Sequence, residues 1–87
     1  MNDDSLLEFP CEFCVKAMGQ ASDDFEALVV GIVREQLPAP SAAAVRTRPS
    51  RGGKYLSVSV SFTATSRAQL DAIYLALSAH ERVVMAL

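Results

Sequence analysis

The sequence predicts an α+β domain with one antiparallel sheet and two helices, in the chain order β-α-β-β-α-β. Residues 56–64 alternate apolar and polar side chains without interruption, which is typical of a strand with one buried face. Two further segments carry apolar residues at helical spacing, each after a capping residue. The chain has 87 residues, of which 51% are hydrophobic, so it can bury one core but not two.

The first strand is predicted over residues 11–18, where side chains alternate between the two faces. The apolar positions are Phe13, Val15 and Ala17, and the polar positions are Glu12, Cys14 and Lys16. Gly19-Gln20-Ala21 breaks the alternation. A turn before the first helix is therefore predicted at Met18, Gly19 and Gln20.

The first helix is predicted over residues 23–37, with Ser22 or Asp23 as its N-cap. An apolar stripe follows at helical spacing, formed by Phe25, Leu28, Val29, Ile32 and Val33. Pro38 and Pro40 prevent the helix from continuing.

The middle of the chain predicts a hairpin. Residues 45–48 alternate weakly and are predicted to form a short edge strand, while Gly52 and Gly53 supply the positive φ angles of the turn. Residues 56–64 form the third strand, with one buried and one polar face. The polar face carries Ser57, Ser59, Ser61 and Thr63.

The second helix is predicted over residues 67–79, because Ser66 and Gln69 form a capping-box pattern before an apolar stripe. Residues 82–87 are predicted to form the last strand. Two β-α-β units that meet at a central hairpin match the ferredoxin-like plait, in which both helices cover one face of an antiparallel sheet. The other sheet face is left open.

Residues 1–8 are predicted to form a flexible acidic tail, and residues 9–87 the single domain. The start carries acids where a secretory signal needs bases, and no apolar run is long enough to cross a bilayer. We therefore expect a cytoplasmic protein without membrane association. The net charge of −2 does not demand a polyanionic partner.

Short motifs along the chain carry a resemblance to a known family. In order they are Leu7-Glu8-Phe9-Pro10, Phe13 with Lys16, Met18-Gly19, Pro49-Ser50, Tyr55 with Ser57-Val58-Ser59, Ala64-Thr65, Ile73-Tyr74 and Val84-Met85-Ala86-Leu87. Their order and spacing resemble the YbeD family, small bacterial proteins of unknown function. The resemblance implies a ferredoxin-like plait similar to ACT-type regulatory domains, a genomic association with lipoate attachment, and no catalytic residues. Cys11 and Cys14 depart from the family pattern.

No set of residues predicts catalysis. Cys11 and Cys14 have the C-x-x-C spacing of redox and metal pairs, but at i and i+3 of a strand their side chains point to opposite faces. His80 is the single histidine, and its position at the end of the second helix indicates capping. An acylphosphatase-like site needs an asparagine near an arginine, and the single asparagine, Asn2, lies in the tail. We expect no enzymatic activity, no metal and no cofactor.

Four cations within nine residues form a basic segment: Arg46, Arg48, Arg51 and Lys54. An RNA-binding plait would also present stacking aromatic residues on its open sheet face. The third strand offers serines there, with Tyr55 only at its start. RNA binding is therefore less favoured than protein binding or small-ligand sensing.

The open sheet face is the leading candidate for function. Strand parity places a small polar and basic set of side chains on it: Lys16, Arg46, Arg48, Ser57, Ser59 and Ser61. Short side chains allow a partner to approach closely. We predict a non-enzymatic protein-binding or regulatory module that uses this face, with a homodimer as one form of the interaction.

The alternative is an ACT-like domain that senses an amino acid or a lipoate-pathway molecule. Backbone amides of the predicted turn at Met18, Gly19 and Gln20 would hold a carboxylate at the start of the first helix. Asp23 and Asp24 stand at the same helix end, so they would repel an anion and attract an ammonium group.

Overall fold

The computed structural model of the protein describes residues 7–38 and 42–87. Its six elements follow the predicted order: β1 (Cys11–Gln20), α1 (Phe25–Arg34), β2 (Ala44–Pro49), β3 (Tyr55–Ala64), α2 (Arg67–Ala79) and β4 (Met85–Ala86). The strands form one antiparallel sheet in the order β2-β3-β1-β4, so each helix crosses over one intervening strand. The α+β ferredoxin-like plait is confirmed.

The core lies between the two helices and one face of β1 and β3. Its fully buried side chains from the sheet are Val15, Ala17, Val58, Val60, Phe62 and Ala64. Those from the helices are Phe25, Val29, Val33, Leu70, Ile73 and Leu77. The alternation predicted for the third strand is therefore confirmed, and each buried Val, Leu, Ile or Phe contributes about 1.5–3 kcal/mol to folding.

The predicted turn at Met18, Gly19 and Gln20 is wrong. These residues continue β1 and pair with Ser57, Leu56 and Tyr55 of β3. Gly19 occupies a buried, inward position, where an added Cβ would meet the Arg82 carbonyl oxygen and lie 2.5 Å from a ring carbon of Phe25. The sequence makes this glycine look like a turn residue, whereas close packing is what requires it.

The first helix is shorter than the predicted span of residues 23–37. Its N-cap residue is Asp24, rather than Ser22 or Asp23, and the Asp24 side chain makes no capping hydrogen bond to the first turn. The Asp24 carboxylate instead binds the Arg82 guanidinium, a long-range contact that local sequence does not reveal. After Arg34 the chain leaves the helix through two tighter turns, in which the amides of residues 36 and 37 bond carbonyls three residues back.

The second helix has its predicted bounds. The Ser66 side chain accepts a hydrogen bond from the Gln69 amide at 3.0 Å, and the Gln69 side chain accepts one from the Thr65 amide at 2.8 Å. His80 is the C-cap residue, and its Nδ1 accepts a bond from the Arg82 amide at 3.2 Å. The His80 side chain thus orders the chain after the helix, while its backbone N–H donates to the Leu77 carbonyl at 3.2 Å.

The predictions for the hairpin are confirmed, whereas the last strand is shorter than predicted. The predicted edge strand is β2, one residue longer at each end, and Gly52 and Gly53 have φ angles of 86° and 76° as predicted. The last strand is limited to β4, although backbone bonds on either side of it tie Val84 to Met18 and Leu87 to Lys16.

Parts of two predictions lie outside the described residues. They concern residues 1–6 of the acidic tail and residues 39–41, which include Pro40. Leu7, the first residue described, packs against the core. Within residues 7–38 and 42–87, neither helix is long and apolar enough to cross a membrane.

Gly19→Ala should destabilise the fold by about 1–3 kcal/mol or more, because the added methyl group overlaps a backbone oxygen and the Phe25 ring. Gly31→Ala is the matched control, since nothing lies within 4 Å of a Cβ added at that helical position. The control should stabilise the protein by about 0.5–1 kcal/mol. Urea denaturation measures both changes, and equal stability of Gly19→Ala and wild type would contradict the packing argument.

Candidate functional site

Cross-strand rows of side chains cover the open sheet face, which no described helix contacts. In the first row Lys16 of β1, Ser59 of β3 and Arg46 of β2 lie side by side. The second row contains Met18, Ser57 and Arg48, and the third contains Cys14, Ser61 and Ala44. The structure therefore brings all six predicted binding residues of the open face together.

Lys16, Arg46 and Arg48 form what we call the cation cluster. Arg46 and Arg48 are two residues apart on one strand, so their Cα atoms are about 6.6–6.8 Å apart. The Cα atom of Lys16 lies about 9.5 Å from that of Arg46, because β3 runs between their strands. None of the three forms an ion pair with another residue of the described chain. Glu12, an acid of β1 on the same face, accepts a hydrogen bond from the Thr63 hydroxyl at 2.9 Å.

Half-buried serines form the floor between these cations. Ser57 and Ser59, together with the cation cluster, line a shallow depression of about 190 Å³. Strand pairing on both sides occupies the backbone amides of β3, so side chains supply the hydrogen-bond donors here. The arrangement suits several separated anionic groups better than one phosphate, which needs donors that converge on a point.

The β4 side of the open face is apolar, a feature that the sequence predictions missed. Met85 pairs with Met18, and Leu87 exchanges backbone bonds with Lys16. Met85 is 49% exposed and Leu87 60% exposed. The available signal was the parity of the last segment, in which these large residues alternate with the small Ala86 that faces the core.

The two cysteines lie on opposite sides of β1, as predicted. Cys11 packs partly against the core, and Cys14 is exposed on the open face. Both thiols are free. No group of three potential metal ligands occurs in the part of the chain that the structure describes.

A second concavity lies at the end of the sheet, beside the N-terminal end of α1. It measures about 420 Å³ and is lined by Gln20, Ala21, Ser22, Tyr55, Glu81, Arg82 and Val84. All three predicted ligand-turn residues pair with β3, and of them Gln20 alone also lines this concavity.

The charge in this groove is already balanced. The Arg82 guanidinium makes a two-pronged contact with the Asp24 carboxylate, at 2.8 and 3.0 Å, and also bonds the Ser22 hydroxyl. Hydrogen bonds from Arg82 and then Ser22 hold the pKa of Asp24 well below its usual range. The pair joins the end of the chain to the start of α1.

The fold and this site define a class of protein: a small plait with two helices on one sheet face and a basic, serine-lined face on the other. The chain belongs to the family described as "Protein of unknown function (DUF493)", which matches residues 4–87. This membership confirms the resemblance to YbeD-type small bacterial proteins of unknown function.

Individual relatives are similar over nearly the whole chain. A UPF0250 protein of Paraburkholderia phytofirmans is 45% identical over 85 residues, which cover 98% of this chain and 96% of the relative. UPF0250 protein NE1487 of Nitrosomonas europaea is 41% identical over 87 residues, the full length of both chains. The solution structure of HP0495 from H. pylori has a TM-score of 0.71 at 20% identity and covers 100% of this chain and 94% of that one, which supports the fold alone.

Asp24→Asn should lower stability at neutral pH, because the ion pair with Arg82 is lost. The pKa of Asp24 is lowered in the folded state, so its contribution is present above the ordinary aspartate pKa, about 4, and is lost as the pH falls below it. The stability difference between wild type and variant should therefore shrink as the pH falls from about 5 towards 2.

Urea denaturation across this pH range measures the difference. Asp23→Asn is the matched control, because no hydrogen bond or ion pair joins the Asp23 side chain to other described residues, and it should change stability little. A wild-type advantage over Asp24→Asn that stays constant down to pH 2 would contradict the role of this carboxylate.

Proposed function

We propose that the protein is a non-enzymatic binding module that recognises an acidic surface of another protein with its open sheet face. The observation that supports this proposal is the cation cluster, in which three like charges stand together over short serines without an ion pair among the described residues. Like charges at this spacing repel one another, and a partner of opposite charge relieves that repulsion.

The chemistry of the face favours carboxylates as its target. Arginine presents a planar fork of donors that matches a carboxylate with two parallel hydrogen bonds, and the open face carries two arginines. Short serines between them leave room for acidic side chains to reach the sheet. The apolar strip at Met85 and Leu87 adds area that a protein partner can bury beside the charged contacts.

Other partners fit this face less well. A second copy that stacked its open face on this one about a two-fold axis perpendicular to the strands would set the two β2 edges, and with them two cation clusters, against each other. RNA would need aromatic residues across the face, whereas the aromatic residue that the described strands place on it is Tyr55, at the start of β3. A cytoplasmic location belongs to the proposal and is supported by the free thiols of Cys11 and Cys14, which a reducing compartment preserves.

Ser59→Glu should reduce recovery of the acidic partner at least about tenfold, because a carboxylate between Lys16 and Arg46 pairs with these cations and repels the acids of the partner. Affinity capture from native lysate at physiological salt, with quantitative mass spectrometry, measures this recovery. Ser78→Glu makes the same change at an exposed position of α2 and should retain the partner.

Thermal denaturation of both variants confirms that the fold is intact. If Ser59→Glu and Ser78→Glu recover the partner equally, the open face is not its binding surface.

A second candidate function is small-ligand sensing, and the groove of about 420 Å³ beside Gln20 favours it. The groove combines the Tyr55 ring with polar groups, as amino-acid sites do. Because Arg82 is already paired with Asp24, a zwitterion suits this groove better than a simple anion.

On this second proposal, an amino acid or lipoate raises the melting temperature in a concentration-dependent way. At 100 times its Kd, one bound ligand stabilises the fold by about 2.7 kcal/mol. Tyr55→Ala should abolish the shift, and Leu75→Ala, at a 74% exposed position of α2, should preserve it. A flat response to every compound would exclude ligands of these two classes.

A further inference from the structure

We propose that the partner binds as an added strand: an extended acidic segment pairs antiparallel with the outer edge of β2 and sets alternate carboxylates opposite Arg46 and Arg48. This inference rests on the proposed function, and it specifies the conformation and sequence pattern of the partner. Three features of β2 support it: the backbone groups of its outer edge, unpaired within the described strands, the charge of its two arginines, and the difference between its open and helix-facing sides.

The outer edge of β2 is open for pairing within the described structure. β2 pairs with β3 alone, and it stands at the end of the sheet order. The Ser50 amide donates to the Tyr55 carbonyl at 2.8 Å. Hydrogen-bonded and non-bonded pairs alternate along an antiparallel ladder, so the backbone groups of Arg48 and Arg46 also turn towards β3.

The other alternating set, Val45, Thr47 and Pro49, therefore turns its backbone groups outward. Pro49 fits this assignment, because a residue without an N–H is tolerated where that group would face away from the sheet. The outer edge thus offers the amides of Val45 and Thr47 and the carbonyls of all three residues. These are the groups that an added strand needs.

Charge selects which strand this edge accepts. Residues directly opposite each other on antiparallel strands point to the same face, and like charges there are destabilising. A second copy of β2 would oppose arginine to arginine, so self-pairing is disfavoured. A strand with carboxylates at every second position turns the same two arginines into favourable contacts.

The helix side of β2 determines which partner residues fit between the carboxylates. Thr47 is on that side, and its hydroxyl donates to the Glu26 carboxylate of α1 at 2.7 Å. Partner residues opposite Val45 and Thr47 share this side, where Glu26 repels acids and Val45 offers apolar contact. The pattern that fits is acidic residues alternating with apolar ones, rather than a continuous acidic run.

The test uses a short capped peptide of alternating Glu and Val, in three forms that differ in backbone methylation. In the first form all amides are free. In the second, N-methyl groups on the valines block the amides that would face β2. In the third, N-methyl groups on the glutamates block amides that would point away, which makes it the matched control.

Fluorescence anisotropy should show that the free and glutamate-methylated peptides bind with similar affinity. The valine-methylated peptide should bind about tenfold more weakly or worse, because it loses the hydrogen bonds to β2. Arg46→Glu combined with Arg48→Glu should remove binding of all forms. The bound free peptide should also slow hydrogen exchange at the amides of Val45 and Thr47.

A variant of this chain tests the same edge from the other side. Val45→Pro removes an outward N–H and leaves the β2–β3 ladder intact, so it should weaken the free peptide about tenfold. Val45→Ala removes side-chain contact but keeps the N–H, so it should preserve most of the affinity. If Val45→Pro fails to fold, the peptide series decides alone.

Equal affinity of the two methylated peptides, or no binding of the free peptide, would overturn strand addition. Neither result bears on the capture experiment with Ser59→Glu, which decides separately whether a protein partner uses the open face. Loss of capture by Ser59→Glu together with equal peptide affinities would mean that the partner docks on the face and does not extend the sheet.

Discussion

The pairing of β1 with β3 is the constraint on which the rest of the structure depends. Both strands have ten residues, and their register runs from Cys11 opposite Ala64 to Gln20 opposite Tyr55. A slip of one residue would turn the core positions towards solvent and the serines towards the helices. The same register puts Lys16 beside Ser59, so core packing and the composition of the open face are set by one interaction.

A second junction closes the fold at the end of β1. Gly19 lets the chain after α2 and the Phe25 ring approach the strand, and Arg82 of that chain segment binds Asp24 at the N-cap of α1. The first contact is steric and tolerates no side chain, whereas the second is electrostatic and exposed to solvent. Packing at Gly19 therefore restrains the chain segment after α2 more strongly than the ion pair does. The ion pair orients this segment relative to the start of α1.

The two faces of the sheet differ in composition and in what explains that composition. The helix-covered face is explained by burial, and every fully buried residue there is apolar. The open face is divided between cations near β2 and apolar side chains near β4, with serines between them. No packing requirement of the core specifies this division, which is why the open face and the adjacent edge of β2 are the surfaces on which the function is proposed.

The sequence by itself determined the element order, the alternation in residues 56–64, the Ser66 cap and the opposite orientation of Cys11 and Cys14, because each depends on neighbours within a few residues. Tertiary structure decided the rest. Gly19 continues β1 through its pairing with Leu56, and its missing side chain leaves room for a distant carbonyl and ring. The Asp24 carboxylate binds Arg82 and forms no capping bond to α1. Cross-strand register brought Lys16, Arg46 and Arg48 into one cluster and exposed Met85 and Leu87, since pairing between distant segments fixes which side chains become neighbours.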